Sequence, residues 1–467
     1  MKINHQLRAL YFLEAVSGFG LAQVIWVVLL AGRGFSLAQI GLAEGFFHLV
    51  SLLCEVPSGM AADLFGRRRT LAASMAVRAL ACLAMIASRG IGGVCLAMGL
   101  SALSYNLISG TREAITYDSL LQAGRAGDYE RVAGRMGVLY RASAVGCALC
   151  AGAALALGWR LAYLTDFAAA LAGFVLALGL AEPPHGQAAQ GTIREFRPRL
   201  RQHVAETGVF LRQNPAAVEK MLLDGACGCC AYFGGQLLQP RLMELGLPAG
   251  LLGPVLALLP LAGAAGSPPA RPGGGRLRVC RGGPVSFTHL CRFAGGWGGR
   301  GRGTGRGRDR GPRGRGGARA PRPRRAGAGG RRPRVGGAGG RMGGRFRFRS
   351  VALLCATGIG GSLALAGAPV LSLALAAGAA ATFWDGVLEV KMTARLNRDF
   401  PSDRRATLVS VQSMAYSLVM LPVSPLAGAL CDRLGYSGGM AALGLGLLSL
   451  VAAGMAAHRC RKGRKRE

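Results

Sequence analysis

The residues of this chain that could do chemistry are charged side chains set inside long apolar runs. In the first half they are Glu14, Glu55, Arg78, Arg112, Glu113, Asp118 and Arg141; in the second they are Asp224, Asp385, Glu389 and Lys391. Ionised groups are expensive in a medium without water, so such residues face a polar path or a partner and mark routes for ions, protons or solutes. Asp385 and Glu389 are four apart and share a helix face, which makes one of them a candidate to hold an exchangeable proton. Static bridges from these carboxylates to Arg112, Arg141 or Lys391 are the competing reading. No nucleophile–base pair, metal-ligand cluster or phosphate-binding loop is legible, so enzymatic chemistry, a metal and a cofactor are not expected.

Weaker candidates surround these. Glu14 and Glu55 fall near the predicted ends of their spans, where a solvated surface role is expected. His48 lies deep in an apolar run, where a satisfied core histidine competes with a proton carrier. Trp26, Tyr117, Gln236, Gln239 and Trp384 are of types that line a pocket for an amphiphilic solute, or simply pack between helices. The thirteen cysteines are scattered. Without partner pairs or histidines at ligand spacing, they read as small packing residues.

The elements that must position these groups are membrane spans. Half of the 467 residues (51%) are hydrophobic and the mean hydropathy is +0.34, although the net charge is +34. Apolar and basic residues must therefore be segregated. About 20 apolar residues cross a bilayer, and that ruler places six spans near Ala9–Ala31, Leu37–Ala61, Thr70–Ser88, Ile91–Ser119, Arg131–Leu157 and Trp159–Ala181. The first is expected to be retained, because no cleavage site follows it. Residues 1–182 form one six-span half and 183–215 a polar cytoplasmic linker. Residues 216–265 open the second half, 351–457 complete it, and 458–467 form a basic cytoplasmic tail. Strong spans near Pro369–Leu396, Leu408–Leu430 and Gly438–Ala457 follow a short one at Val351–Gly367. An internal repeat supports this register: Gly110 to Glu113, with Leu120 beyond, aligns with Gly386 to Glu389 and Leu396. It makes Glu113 and Glu389 equivalent positions, both expected near the interface of the halves.

Between the second and third spans, Gly59 to Leu71 reads G-M-A-A-D-L-F-G-R-R-R-T-L. Short loops rich in arginine stay on the cytoplasmic side. Gly59 and Gly66 permit a turn and close backbone approach, while Asp63 can accept from backbone amides at a helix end or pair with Arg67, Arg68 or Arg69. The pattern suits a latch between moving helices. It resembles the G-x-x-x-D-x-x-G-R-R signature of the major facilitator superfamily. The stretch from Ser109 to Leu120 resembles one found in uncharacterised members and in members assigned to drug efflux, and Gly158-Trp159-Arg160 opens the sixth span similarly.

The resemblance implies an all-α membrane protein, a twelve-span fold of two six-helix pseudo-symmetric halves, in the plasma membrane with both termini cytoplasmic. It implies a monomeric secondary transporter of small molecules, exporting amphiphilic or drug-like solutes by alternating access, with protons as the candidate driving ion. Uptake or facilitation is the alternative. Two antiporter motifs are replaced: Asn106 to Gly110 stands where R-x-x-Q-G is usual, and Gly146 to Ala151 where G-P-x-x-G-G is usual.

Residues 266–350 break the pattern. They contain 23 arginines, one aspartate and no lysine, a net of +22 that leaves +12 for the rest of the chain. This composition cannot bury a core and is expected to be disordered. It is readable as an insert holding single-stranded nucleic acid or anionic lipid, or as an out-of-frame translation. The last reading is favoured, because the segment replaces the end of one helix and the start of the next, where a loop insertion would leave both intact. No specific nucleic-acid partner is expected.

Overall fold

The computed structural model describes residues 3–183, 211–266, 348–399 and 405–463, with isolated positions between 198 and 209. Most of the linker at 183–215, the segment 267–347, Ser402 to Arg404 and the end of the basic tail lie outside the described residues. Among the described residues every regular element is helical.

The first half comprises α1 (Ile3–Ser17), α2 (Leu21–Val24), α3 (Trp26–Gly32), α4 (Leu37–Phe65), α5 (Arg67–Ala87), α6 (Ile91–Ile108), α7 (Thr111–Gln122), α8 (Tyr129–Leu149), α9 (Ala151–Leu157) and α10 (Trp159–Leu178). The second comprises α11 (Pro215–Glu244), α12 (Ala249–Gly266), α13 (Phe348–Ala366), α14 (Leu371–Asp399) and α15 (Arg405–Gly463). By length and apolar composition, six described stretches can cross a membrane, or seven when α8 and α9, bent by 54° at their junction, count as one span. One of these, Ser410–Ala456, has 47 residues. At 1.5 Å per residue it would run about 70 Å, more than twice the hydrocarbon core. It is two spans, because Gly435 leaves the helix with φ 69° and ψ 173°. That break falls between the predicted eleventh and twelfth spans.

The order of spans follows the sequence expectation, but three of them are not continuous helices. The first is cut at Gly18 to Gly20 and again at Ile25, the fourth at Ser109–Gly110 and the fifth at Cys150. Except at Ile25, which stands between Val24 and Trp26, each cut falls beside small residues, which tolerate loss of the helical ladder where another helix can satisfy the freed groups. α4 starts on a reciprocal cap in which Ser36 Oγ accepts from Gln39 N at 3.2 Å and Gln39 Oε1 accepts from Ser36 N at 3.1 Å. It then runs unbroken to Phe65.

The halves meet mainly through α4 and α15, and through α8 and α9 against α12. At the end of the bundle opposite the arginine loop the contacts are backbone on backbone. Gly41 lies on the Ser424 carbonyl, Gly428 on Leu37, Gly152 on Ala249 and Gly253 on Leu149. Pro425 has no N–H to give to the Leu421 carbonyl one turn earlier. Gly45 covers that oxygen, which an added Cβ would approach to 3.1 Å. Small residues bring spans this close where lipid supplies no hydrophobic drive.

Candidate functional site

The break in the first span is held by two charged residues from other helices. Arg78 on α5 donates to the carbonyls of Ser17, at 3.2 Å, and Phe19. Asp166 on α10 accepts from the amides of Leu21, at 2.6 Å, and Ala22, at 3.2 Å. Cys147 Sγ accepts from Gly20 N at 3.4 Å. Arg78 and Asp166 thus replace the missing helical ladder and cap the N-terminus of the second segment. Replacing Asp166 by Ala is expected to lower stability by about 3 kcal/mol, because the amides lose their acceptor and Arg78 its nearby counter-charge in a buried place. Asp166→Asn should cost less. Thermal unfolding of the two purified variants in detergent checks the order.

Arg112, at the start of α7, bridges Glu14 on α1 at 3.0 Å and Glu113 at 3.3 Å. Glu14 is only 3% exposed, which corrects the surface role expected for it. α1 begins at Ile3, so Glu14 sits about 16 Å along it, at a depth where α7 covers it. The repeat equivalent, Glu389, is half-buried on α14, one turn beyond the buried Asp385. Asp224 on α11 accepts from Gln412 Nε2 at 3.0 Å. Arg141 is half-buried on α8, and Lys391 is exposed on α14. Tyr117 is exposed and edges onto Tyr129 with ring centroids 5.4 Å apart, while Trp384 packs across Gly358.

The arginine loop is a single residue, Gly66, between α4 and α5, with φ 89°. Gly59 is mid-helix with open space around it, so it does not make the turn expected of it, and Asp63 lies within the last turn of α4. The carboxylate on the first amides of α5 is Glu182, beyond α10, which accepts from Arg67 N and Arg68 N at 2.8 Å each. Its carboxyl also lies 3.2 Å from where a Cβ on Gly66 would stand. Arg67 pairs with Asp118 on α7 and donates to the Ala114 carbonyl at 2.9 Å. Arg68 donates to the Leu178 carbonyl, and Arg69 is exposed. The loop therefore ties α5 to α7 and to the end of α10.

A polar seam joins the halves. On α4, Glu44, His48, Ser51 and Glu55 recur at intervals of four, three and four, one helical face. His48 Nε2 is 3.5 Å from Glu44 Oε1, and Nδ1 lies 3.3 Å from Ser417 Oγ on α15. Glu55 Oε2 accepts from Ser413 Oγ at 3.3 Å. Ser51 donates to Asn106 Oδ1 at 3.0 Å. On the other side Tyr232 of α11 puts its hydroxyl in hydrogen-bonding reach of Glu44, Gln236 and the Trp26 indole. Gln239 donates to Gln236 Oε1 at 3.0 Å and to the Val24 carbonyl at 3.2 Å. Past the seam, Asp432 of α15 accepts from Leu37 N and Ala38 N at 2.8 Å each, so one half caps a helix of the other.

Structure brings Trp26, His48, Gln236 and Gln239 together, with Glu44 and Tyr232 among them. Sequence reasoning missed Glu44, Asp166, Glu182 and Asp432. Glu44 could have been found from its place four residues before His48, since an acid and an imidazole at that spacing share a face. The other three cap helices remote in sequence, and no local spacing announces that.

Residues 9–286 match the family profile described as Major Facilitator Superfamily. Over 107 residues the chain is 35% identical to the uncharacterized MFS-type transporter YxaM of Bacillus subtilis (strain 168). That match covers 22% of this chain and 26% of the relative, so it spans about a quarter of the relative's length. The fold is similar to that of a single-residue variant of nucleoside transporter NupG, with a TM-score of 0.66 at 11% identity over 97% of this chain and 99% of that one. It is also similar to a bacterial homolog of the human lysosomal transporter Spinster in an inward-facing and occupied conformation. There the TM-score is 0.64 at 14% identity, over 98% and 97% of the two chains.

Proposed function

The chain belongs to the Major Facilitator Superfamily, and from that premise we propose that it exports small amphiphilic or drug-like molecules across the plasma membrane by alternating access. It is a multi-pass membrane protein and a secondary transporter rather than an enzyme. In this reading the Gly66 to Arg69 loop is cytoplasmic, as arginine-rich short loops are, and both termini lie on that side. In the same reading residues 1–182 form one moving half, and 216–265 with 351–457 the other. The working unit is a monomer.

The observation that carries the proposal is the polar seam from Glu44 to Glu55, lying between halves whose far ends are packed backbone on backbone. A seam of that kind gives a solute polar contacts near the bilayer midplane once the halves part. Arg67 with Asp118, and Glu182 on the α5 amides, tie the loop end of the first half into one rigid body. Asp63, Arg68 and Arg69 belong to the same latch. Glu113, Arg112, Arg141, Asp385 and Glu389 are the candidates for proton coupling.

Accumulation of a fluorescent amphiphile in inverted against right-side-out vesicles tests direction. Export predicts uptake into inverted vesicles that stops when the proton gradient is collapsed. Accumulation only in right-side-out vesicles would replace export by uptake, and a rate unaltered in Glu389→Gln would remove that residue from coupling.

A further inference from the structure

We propose that Glu44 is the anchor for the positively charged nitrogen or phosphorus centre of an organic cation, held among Trp26, Tyr232, His48 and Gln239. This names a substrate class and rests on the transporter reading above.

Of the other carboxylates described above in the first half, Glu55 on the same face of α4 has only the Ser413 hydroxyl, and the rest already have a fixed counter-charge or a helix end. Glu14 and Glu113 have Arg112, Asp118 has Arg67, and Asp166 has Arg78 with two backbone amides. Glu44 is 5% exposed, yet among the described residues no lysine or arginine lies within ion-pair distance of it. Its partners are His48 at 3.5 Å and the Tyr232 hydroxyl. A buried carboxylate without a permanent cation is costly to maintain. A cationic ligand arriving between the halves supplies the missing charge.

The surroundings suit a soft, organic cation rather than a metal ion. Trp26 and Tyr232 bring aromatic rings to the carboxylate through the Tyr232 hydroxyl, and aromatic rings attract such cations electrostatically. His48 is flanked edge-on by Tyr416, with ring centroids 5.4 Å apart, and by Phe47 at 5.2 Å. Gln239 Oε1 is buried with no hydrogen-bond partner among the described residues, a second acceptor linked to the carboxylate through Gln236 and Tyr232. Metal coordination is disfavoured by this chemistry, because the site offers one carboxylate, one imidazole and bulky rings. Glu44 and His48 belong to the first half and Tyr232 and Gln239 to the second. A ligand held there touches both moving bodies.

The test is isothermal titration calorimetry of the purified full chain in uncharged maltoside micelles, with tetraphenylphosphonium as the cation and triphenylphosphine oxide as the neutral probe. The wild type is expected to bind the cation and not the neutral compound. Glu44→Gln should raise Kd about 30-fold or more, the scale expected for removing one member of a buried charge pair. Glu44→Asp should retain most of the affinity, which separates loss of charge from loss of fold. Glu244→Gln, exposed and paired with Arg241, should change nothing. Equal binding of both probes, no binding of the cation by the wild type, or an unchanged Kd in Glu44→Gln would overturn the assignment. Vesicle assays keep the two readings apart. If neutral or anionic solutes are moved while the cation does not bind, only the cation assignment fails. If the cation binds through Glu44 and no solute moves, only the transport reading fails.

Discussion

Replacing Arg112 by Met is expected to cost about 3–5 kcal/mol of stability, the range seen when one member of a buried ion pair is removed and its partners are left charged. Arg112 answers two carboxylates at once, Glu14 at 3.0 Å and Glu113 at 3.3 Å, and its side chain is 14% exposed. One oxygen of each, Glu14 Oε2 and Glu113 Oε2, already lacks a hydrogen-bond partner among the described residues. Removing the guanidinium strands both. Thermal unfolding of the purified variant reads the loss directly. The triple variant Arg112→Met, Glu14→Gln, Glu113→Gln removes all three charges and should regain most of it, because uncharged side chains of similar volume carry no such penalty. The same triple variant decides what the triad is for. If fold and transport both return, the triad is a structural bridge between α1 and α7. If the fold returns without transport, the charges of the triad take part in the transport cycle.

Gly428→Val should slow transport about 30-fold while leaving each half folded. An added Cβ at Gly428 meets the Leu37 carbonyl and the Ala38 backbone, neither of which is the yielding tip of a side chain. Overpacking of this kind costs about 2 kcal/mol, and here the cost falls only on the state in which the far ends are closed. By the tenfold-per-1.4 kcal/mol rule, that state becomes about 30-fold rarer. Gly41→Val, opposite Ser424 O, should behave in the same way. Gly446→Val on α15 is the control, because nothing stands within 4 Å of its added Cβ. Initial rates in proteoliposomes compare the three. A Gly428→Val protein that transports at the wild-type rate would show that closing the far end is not part of the cycle.

The two expectations depend on different kinds of information. That Glu14, Arg112 and Glu113 lie inside apolar spans is legible from hydropathy alone, since a charge in a run long enough to cross a bilayer stands out against its neighbours. That Glu14 reaches Arg112, 98 positions away in the chain, is not. The expected surface role for Glu14 came from measuring its distance to the predicted end of a span, and the span proved to start earlier and to be cut in the middle.

Sequence by itself determined the order of the spans, the position of the arginine loop and the resemblance to the family, because bilayer thickness, turn residues and loop charge act locally along the chain. It also placed the change of helix near Gly435, where the apolar runs separate. Tertiary structure alone decided which acids cap which helices: Glu182 on α5, Asp166 on α2 and Asp432 on α4. Each replaces backbone partners lost at a helix start, and which remote carboxylate arrives there depends on how spans pack. The same holds for the seam. Glu44 and His48 are spaced to share a face, but only the packing of α4 against α15 and α11 turns that face toward the other half. There His48 reaches Ser417 and Glu44 reaches Tyr232, and both sit where the two bodies must part.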